Sequence, residues 1–358
     1  MRKKLTIKIM TTVLAVTLAA CAYQKETGSF REAMEKQESE MDEADKQQET
    51  AEAADKLQEN TEADKAEEGK GTADKEIQAN LEENSILVEH IPQVVTQDST
   101  YTGLKALEII RFSVPDPKNE EKLSTESQSF GFGAAKEGKA SQLTVDNQSY
   151  FDSLGTGALA WDNRTGEKVL YLTFDCGYEY ENLTADMLDV LKEKEVPAAF
   201  FCTLDYLETA PEIAARMIEE GHIVGNHSTT HPADSAALSR EEMAWEILGV
   251  DNYLRVNFGY TSPYFRFPAG VYSENAMDVV HDVGFRSVFW SLAHADWDPE
   301  NQPGVEKSFQ TITQRLHPGA VILLHTTSPD NAAILADYID YARQQGYTFR
   351  SLDEYPWE

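Results

Sequence analysis

The sequence is poor in basic residues and in cysteine, and its N-terminal apolar run is short. Its 31 Lys and Arg residues face 62 Asp and Glu residues, which gives a formal net charge of −31. A nucleic-acid-binding protein needs a basic face, so this balance argues against a nucleic-acid partner. The apolar run of residues 9–20 is shorter than the roughly 20 residues that a membrane-spanning helix requires. Of the three cysteines, Cys176 and Cys202 could form one disulfide in an oxidising compartment without being required to.

The N-terminus resembles the signal peptide of bacterial lipoproteins. Basic residues precede the apolar run, and the run ends in Leu18-Ala19-Ala20-Cys21, which is similar to a lipobox. The resemblance implies cleavage before Cys21 and a diacylglyceryl group on its thiol, and two acyl chains are sufficient for stable anchoring. We therefore predict a signal peptide over residues 1–21 and an extracytoplasmic protein that is lipid-anchored to the cell membrane. An ordinary secretory signal with a chance cysteine is the alternative.

Residues 22–84 carry too little apolar surface to form a core. They contain 20 acidic and 8 basic residues, and the triplet Ala-Asp-Lys begins at Ala44, Ala54, Ala63 and Ala73. Burial cannot offset the ordering entropy of such a segment, although Ala, Glu and Lys favour helices. We predict a disordered or partly helical acidic tether. Residues 85–166 have a mixed pattern, which we interpret as an N-terminal extension, either a small cap or a lead-in packed on the main domain.

From residue 167 to residue 358 the pattern alternates between short apolar strands and helices. Apolar runs at 169–174, 198–202 and 287–290 predict strands, and residues 184–194 and 241–258 predict helices. Repeated βα units predict an α/β fold, in which a parallel sheet is closed or nearly closed with helices outside it. In such folds, polar residues at the carboxyl ends of the strands are the catalytic candidates.

Polar side chains follow these strands at five places. They are Asp175 with Cys176, His227 with His231, Arg266, Asp296, and His325. Each has an ordinary structural explanation when taken alone, such as a helix N-cap or a hydrogen-bonded core histidine. Two His residues four positions apart would lie on one side of a helical turn and could bind one ion. The pair lacks the Glu of a His-Glu-x-x-His pattern, so a metalloprotease of that type is disfavoured.

Five ordered motifs resemble those of the polysaccharide deacetylase family (NodB homology, carbohydrate esterase family 4). The motifs are Thr173-Phe174-Asp175-x-Gly177, His227-Ser228-Thr229-Thr230-His231, Arg266-x-Pro268-x-Gly270, Asp296-Trp297 and Leu323-Leu324-His325. The stretches 178–179 and 323–332 resemble its PdaA-like branch, the delta-lactam-biosynthetic de-N-acetylases. The resemblance implies a distorted (β/α)7-type barrel. It also implies that the enzyme hydrolyses N-acetyl groups of muramic acid residues in peptidoglycan at the cell surface.

The resemblance implies a role for each of four catalytic residues. Asp175 would be the general base for the attacking water, and Arg266 would pair with it and tune it. His325 would protonate the leaving amine, and Asp296 would orient and charge His325. These roles agree with chemistry, because amide hydrolysis needs a nucleophile, stabilisation of the oxyanion and an acid for the leaving group.

The resemblance also implies a divalent metal, for which Zn²⁺ is our prediction. His227 and His231 would bind it, and the backbone N–H of Ala269 would help to stabilise the oxyanion. The family has a second Asp as third ligand where this sequence has Cys176. A Cys176 thiolate could replace that carboxylate and would favour zinc. Alternatively, Cys176 forms a disulfide with Cys202, or it takes no part in the site.

The implied partner is the peptidoglycan glycan strand, with a functional link to an amidase that first removes the stem peptide. A deacetylase of N-acetylglucosamine in peptidoglycan, or of chitin or xylan, is the first competing hypothesis. The second is a non-catalytic glycan-binding lipoprotein, which would have no need to keep every catalytic residue. Tyr178 and Trp297 are candidates for sugar contact. Together with Tyr180, Tyr272 and Trp290 they form a set of which we expect about half to be core residues.

Overall fold

The computed structural model describes residues 98–357. The predicted signal peptide with Cys21, the acidic tether of residues 22–84 and the first part of the extension, residues 85–97, lie outside the described residues. Within the described range, no helix combines the length and the apolar character needed to cross a membrane.

The described residues form one large parallel sheet and a small antiparallel pair of strands. The strands in chain order are β1 (Gln128–Ser129), β2 (Val169–Cys176), β3 (Ala198–Cys202), β4 (Ile223–Asn226), β5 (Tyr264–Phe265), β6 (Val271–Tyr272), β7 (Arg286–Ser287), β8 (Ala320–His325) and β9 (Thr348–Phe349). The large sheet has seven strands in the order β7-β5-β4-β3-β2-β8, and β9 pairs with the first residues of β2. Strands β1 and β6 form the antiparallel pair.

Helices connect the parallel strands and cover the outside of the sheet. In chain order they are α1 (Gln142–Leu154), α2 (Leu183–Lys194), α3 (Leu204–Thr209), α4 (Pro211–Glu219), α5 (Arg240–Phe258), α6 (Glu274–Asp282), α7 (Val305–Gln314) and α8 (Pro329–Gln344). Helix α5 is the longest of these and is well defined at both ends. A capping box of Ser239 and Glu242 begins it, and Gly259 in the left-handed conformation ends it.

The chain after β7 closes the sheet into a distorted barrel. The Val288 N–H donates to the Phe265 carbonyl of β5 at 2.8 Å, and the Ser291 N–H donates to the Val321 carbonyl of β8 at 2.9 Å. This segment therefore hydrogen-bonds first to β5, the neighbour of β7, and then to β8 at the other end of the strand order. The predicted (β/α)7-type barrel is confirmed.

Side chains of β2 alternate between the barrel interior and the helix layer, as the strand geometry requires. Val169 and Tyr171 belong to an apolar cluster formed by side chains from the inner faces of the strands. Phe174 and Cys176 belong to the larger cluster that includes the apolar side chains of the surrounding helices. Asp175 and Cys176 consequently point to opposite faces of the sheet.

The described part of the N-terminal extension shares an apolar core with the barrel. Phe151 of α1 is fully buried, and its ring stacks on Phe289 with centroids 4.8 Å apart. The Phe130 ring lies 4.6 Å from the same Phe289 ring. This packing agrees with a lead-in that lies against the main domain rather than with a separate cap.

Candidate active site

The candidate catalytic residues meet at the carboxyl-terminal edge of the barrel. Asp175 lies near the end of β2, and His325 is the last residue of β8. The register of β2 and β8 places these two residues directly opposite each other. His227 and Arg266 follow β4 and β5. Parallel strands bring their carboxyl ends to one edge, which explains why residues distant in sequence come together.

Asp175 forms a buried ion pair with Arg266. The fully buried guanidinium donates from Nη1 to Asp175 Oδ1 at 2.8 Å and from Nη2 to Thr173 Oγ1 at 2.8 Å. Burial alone would raise the pKa of Asp175. The charge of Arg266, followed by those of His227 and His325, outweighs burial and lowers that pKa below its usual range. Asp175 is therefore ionised at neutral pH.

His325 is held by Asp296 at two points. The His325 ring donates from Nδ1 to Asp296 Oδ1 at 2.8 Å, and its backbone N–H donates to Asp296 Oδ2 at 2.8 Å. Burial favours the neutral ring, but the Asp296 carboxylate outweighs burial and raises the pKa of His325. The His325 side chain is 24% exposed while that of Asp296 is 1% exposed. A protonated imidazole can therefore reach a substrate from the site.

Two residues that sequence reasoning missed complete this arrangement. Asn331 donates from Nδ2 to Asp296 Oδ2 at 2.6 Å and to the His325 carbonyl at 3.1 Å. His294 Nε2 lies 2.9 Å from Asn331 Oδ1 and 3.7 Å from Asp296 Oδ2. Asn331 falls within the branch-specific stretch 323–332, but its contact with Asp296 cannot be read from spacing. Only its nearness to Asp296 in the chain could have pointed to His294.

The imidazoles of His227 and His231 lie close together, with ring centroids 5.0 Å apart and ring planes inclined at 75°. The expectation of a helical turn is wrong, because residues 227–231 are not helical and Ser228 and His231 have positive φ angles of 72° and 53°. His227 Nδ1 lies 2.9 Å from the carbonyl oxygen of Arg266. A carbonyl can only accept a hydrogen bond, so Nδ1 carries the proton and Nε2 is unprotonated. Nε2 is 3.5 Å from Asp175 Oδ2. Burial lowers the pKa of His227 to about 4, which keeps the ring in the neutral form that binds metals.

Cys176 does not lie with the two imidazoles. Its side chain is fully buried in the helix-facing cluster, on the face of β2 opposite to Asp175. This position contradicts the hypothesis that Cys176 is a metal ligand. Among residues 98–357, no group of three or more His, Cys, Asp or Glu side chains is placed to hold one ion. His227 and His231 fit a divalent ion as a pair, with the remaining coordination positions left to oxygen from water or substrate.

Cys176 and Cys202 face each other across β2 and β3 but are free thiols. Burial raises the pKa of the Cys176 thiol well above its usual range. A thiol that stays protonated in an apolar cluster is inert. The structure thus agrees with the third alternative, in which Cys176 takes no part in the site.

The remaining candidates lie on exposed parts of this edge. Ala269 has a φ of 50° and is exposed in the turn before β6, and left-handed backbone at a non-glycine residue is typical of functional sites. Tyr178 and Trp297 are 46% and 54% exposed, whereas Tyr272 and Trp290 are buried. The expectation that part of the aromatic set is core is confirmed. The oxyanion role of Ala269 and the sugar contacts of Tyr178 and Trp297 stay predictions.

Comparisons with known proteins agree with this geometry. Residues 162–288 match the family model described as Polysaccharide deacetylase. The chain is 40% identical over 195 residues to the peptidoglycan-N-acetylmuramic acid deacetylase PdaA of Bacillus subtilis, and the aligned region covers 54% of this chain and 73% of that relative. It is 45% identical over 189 residues to an uncharacterized 30.6 kDa protein of Geobacillus stearothermophilus, with 52% of this chain and 71% of that relative covered. The solved structure of Bacillus subtilis PdaA, a family 4 carbohydrate esterase, is similar with a TM-score of 0.59 at 36% identity, over 65% of this chain and 98% of that one.

Proposed function

Because the chain belongs to the polysaccharide deacetylase family, and is therefore a hydrolase of carbon–nitrogen bonds, we propose that it removes N-acetyl groups from amino sugars of peptidoglycan. The observation that carries the proposal is the register of β2 and β8. It places an ionised carboxylate, Asp175, opposite an imidazole of raised pKa, His325. Amide hydrolysis requires a base that activates water and an acid that protonates the leaving nitrogen, both within reach of the same amide group.

The two sides of the site divide the proton transfers between them. Asp175 takes the proton of the attacking water, and the buried Arg266 keeps the carboxylate ionised and fixes its direction. His325 gives a proton to the amine nitrogen as the C–N bond breaks, which turns a poor leaving group into a neutral amine. Asp296 stabilises the charged imidazole before that transfer.

A divalent metal, which we propose is zinc, fits the neutral imidazoles of His227 and His231. When bound, it would polarise the acetyl carbonyl and lower the pKa of water toward about 7. This chemistry suits Asp175, because a carboxylate of lowered pKa is a weak base and needs an acidified water to act on. The protein's own contribution is to hold Nε2 of His227 deprotonated through the bond from Nδ1 to the Arg266 carbonyl.

Muramic acid is the sugar we propose as substrate. The 40% identity to a relative named as a peptidoglycan-N-acetylmuramic acid deacetylase supports this choice. An amidase that first strips the stem peptide is then the functional partner, and lipid anchoring through Cys21 would keep the enzyme beside the cell wall. A purely glycan-binding role is disfavoured, because the acid, the base and both of their charged partners are kept in hydrogen-bonded geometry.

Acetate release with Asp175→Asn tests the proposed function. The amide cannot accept the proton of water, so we expect acetate release from glycan strands without stem peptides to fall about 10²- to 10⁴-fold. Asp205→Asn, at an exposed position, is the matched control and should release acetate at the normal rate. Asp175→Asn also leaves the Arg266 charge without its partner, so its melting temperature is recorded alongside. If that variant unfolds, His325→Ala gives a second test with a similar expected loss.

The choice of sugar is tested with two forms of the polymer. We expect acetate from glycan strands whose stem peptides have been removed, and little from intact peptidoglycan. Mass spectrometry of the digested product should place the free amine on muramic acid. A free amine on glucosamine instead would favour the first competing hypothesis, and unchanged release by Asp175→Asn would overturn the mechanism itself.

A further inference from the structure

Helix α5 contacts the turn that carries the two imidazoles through a buried carboxylate. Glu246, 5% exposed, accepts from the Thr230 N–H at 2.8 Å through Oε2 and from the Thr230 hydroxyl at 2.6 Å through Oε1. The Glu246 carbonyl accepts from the Thr229 hydroxyl at 2.9 Å. One residue of α5 therefore holds both central residues of the turn.

The turn needs this support because its backbone is strained. Ser228 and His231 both have positive φ angles, which are unfavourable at a non-glycine residue because Cβ crowds the neighbouring backbone. Such a conformation persists only where the surroundings over-determine it. Within the turn itself, the His231 N–H donates to the Ser228 hydroxyl at 3.0 Å. Glu246 supplies the contacts from outside, and these fix where the exposed His231 ring stands relative to the buried His227 ring.

Glu246 also brings a negative charge to the turn that carries the imidazoles. In the described chain, its carboxylate is hydrogen-bonded to the two groups of Thr230 and forms no ion pair. A buried carboxylate is unfavourable unless a positive charge compensates it. Thr230 is the chain neighbour of His231, so a divalent cation on the imidazole pair would bring positive charge to the same turn.

We propose that Glu246 is a positioning residue that strengthens divalent-cation binding by His227 and His231. It does so by holding the turn in its strained shape and by placing negative charge behind it. The inference rests on the proposed function only in that the imidazole pair binds a cation.

Zinc binding to the full-length protein tests the inference without measuring catalysis. Glu246→Gln keeps the size of the side chain and removes its charge, and we expect the Zn²⁺ affinity to fall about 10- to 100-fold, as for other groups that orient metal ligands. Glu241→Gln, exposed on the same helix, is the matched control. The amide oxygen of the new glutamine can still accept a hydrogen bond from Thr230, so we expect the metal-free protein to melt at a similar temperature in both variants. A merely structural role of Glu246 would instead lower the melting temperature of Glu246→Gln.

Equal zinc affinity in Glu246→Gln and Glu241→Gln overturns the inference, and so does a loss of affinity that is matched by a loss of metal-free stability. If Glu246→Gln does not fold, Thr230→Val removes one hydrogen bond and keeps the charge. A fall in its affinity supports the inference, and wild-type affinity overturns it. A wild-type protein that binds zinc but releases no acetate would refute the proposed function and leave this inference standing.

Discussion

Asp296 determines the pH at which His325 can act as an acid. Burial lowers the pKa of the imidazole, but the charge of Asp296 and its hydrogen bond to the ring outweigh burial and raise that pKa above the ordinary value. An acid must be protonated to act, so activity is lost as the pH rises through this pKa. The raised pKa therefore extends activity toward alkaline pH.

Asp296→Asn should move the alkaline limb of the kcat/KM profile to lower pH. The amide keeps a similar shape but lacks the charge that favours the protonated ring, so deprotonation occurs earlier. The measurement is acetate release from a soluble glycan across the pH range. Asp298→Asn, exposed two residues away, should leave the limb in place. An unshifted limb in Asp296→Asn would mean that another group limits the rate at high pH.

Cys176→Asp should destabilise the protein without creating a metal ligand. The new carboxylate would lie in the apolar cluster between β2 and the helices, and an uncompensated buried charge costs about 3–5 kcal/mol. Urea unfolding measures the loss, with Cys176→Ala as the control for lost packing. A gain of zinc affinity in Cys176→Asp would contradict this expectation, because it would require residue 176 to face the imidazoles.

The orientation of Cys176 could have been predicted from the sequence. Residues 169–174 predict a strand that leads directly into Asp175, and neighbouring side chains of a strand point to opposite faces. Asp175 and Cys176 could not both face one ion while the strand continued, and β2 does continue to Cys176. The contact of Asn331 with Asp296 could not have been predicted in this way, because it joins the first turn of α8 to the segment after β7 and depends on how the barrel closes.

At the scale of elements, Gly249 allows α5 to approach the turn that carries the imidazoles. A Cβ at this position would lie 2.4 Å from the Thr229 hydroxyl oxygen, far inside van der Waals contact. Glu246 lies one helical turn before Gly249, so both residues face the same neighbour. The close contact between α5 and the turn therefore depends on the absent side chain of Gly249 and on the hydrogen bonds of the buried Glu246 carboxylate.

Gly249→Ala should destabilise the protein, although the same change inside a helix is normally favourable by about 1 kcal/mol. The methyl group must displace Thr229, and such overpacking typically costs about 1–3 kcal/mol. Denaturant unfolding measures whether the free energy of unfolding falls or rises in Gly249→Ala. Thr229→Ala removes the clashing oxygen, so the double variant should recover stability relative to Gly249→Ala. If Gly249→Ala stabilised the protein, Thr229 and its turn would have to move aside at little cost.

The elements were predictable where local chemistry specifies them. Helix α5 was predicted over 241–258 and spans Arg240–Phe258, because apolar periodicity and strong caps act within the segment. The strand predicted at 287–290 is regular only over Arg286–Ser287. Beyond it the chain changes hydrogen-bond partners from β5 to β8. That switch closes the barrel and depends on strands far away in sequence.

Cys21→Ala tests the proposed lipid anchor. Without the thiol no diacylglyceryl group can be attached, and the protein should leave the membrane fraction. The acetate released per molecule from soluble glycan should stay unchanged, because the candidate active site is built from residues between Asp175 and Asn331. Cell fractionation with immunoblotting measures the first effect. Protein that stays in the membrane fraction would point to a different anchor.

The position of Phe151 determines where the protein can be truncated. The family match begins at residue 162, after α1, yet the Phe151 ring fills a space lined by Phe289 and Tyr272. A fragment that begins at residue 162 would lack Phe151 and would expose the apolar side chains of Phe289 and Tyr272 to solvent. The boundary of the folded enzyme therefore lies upstream of residue 162, where the family-model match begins.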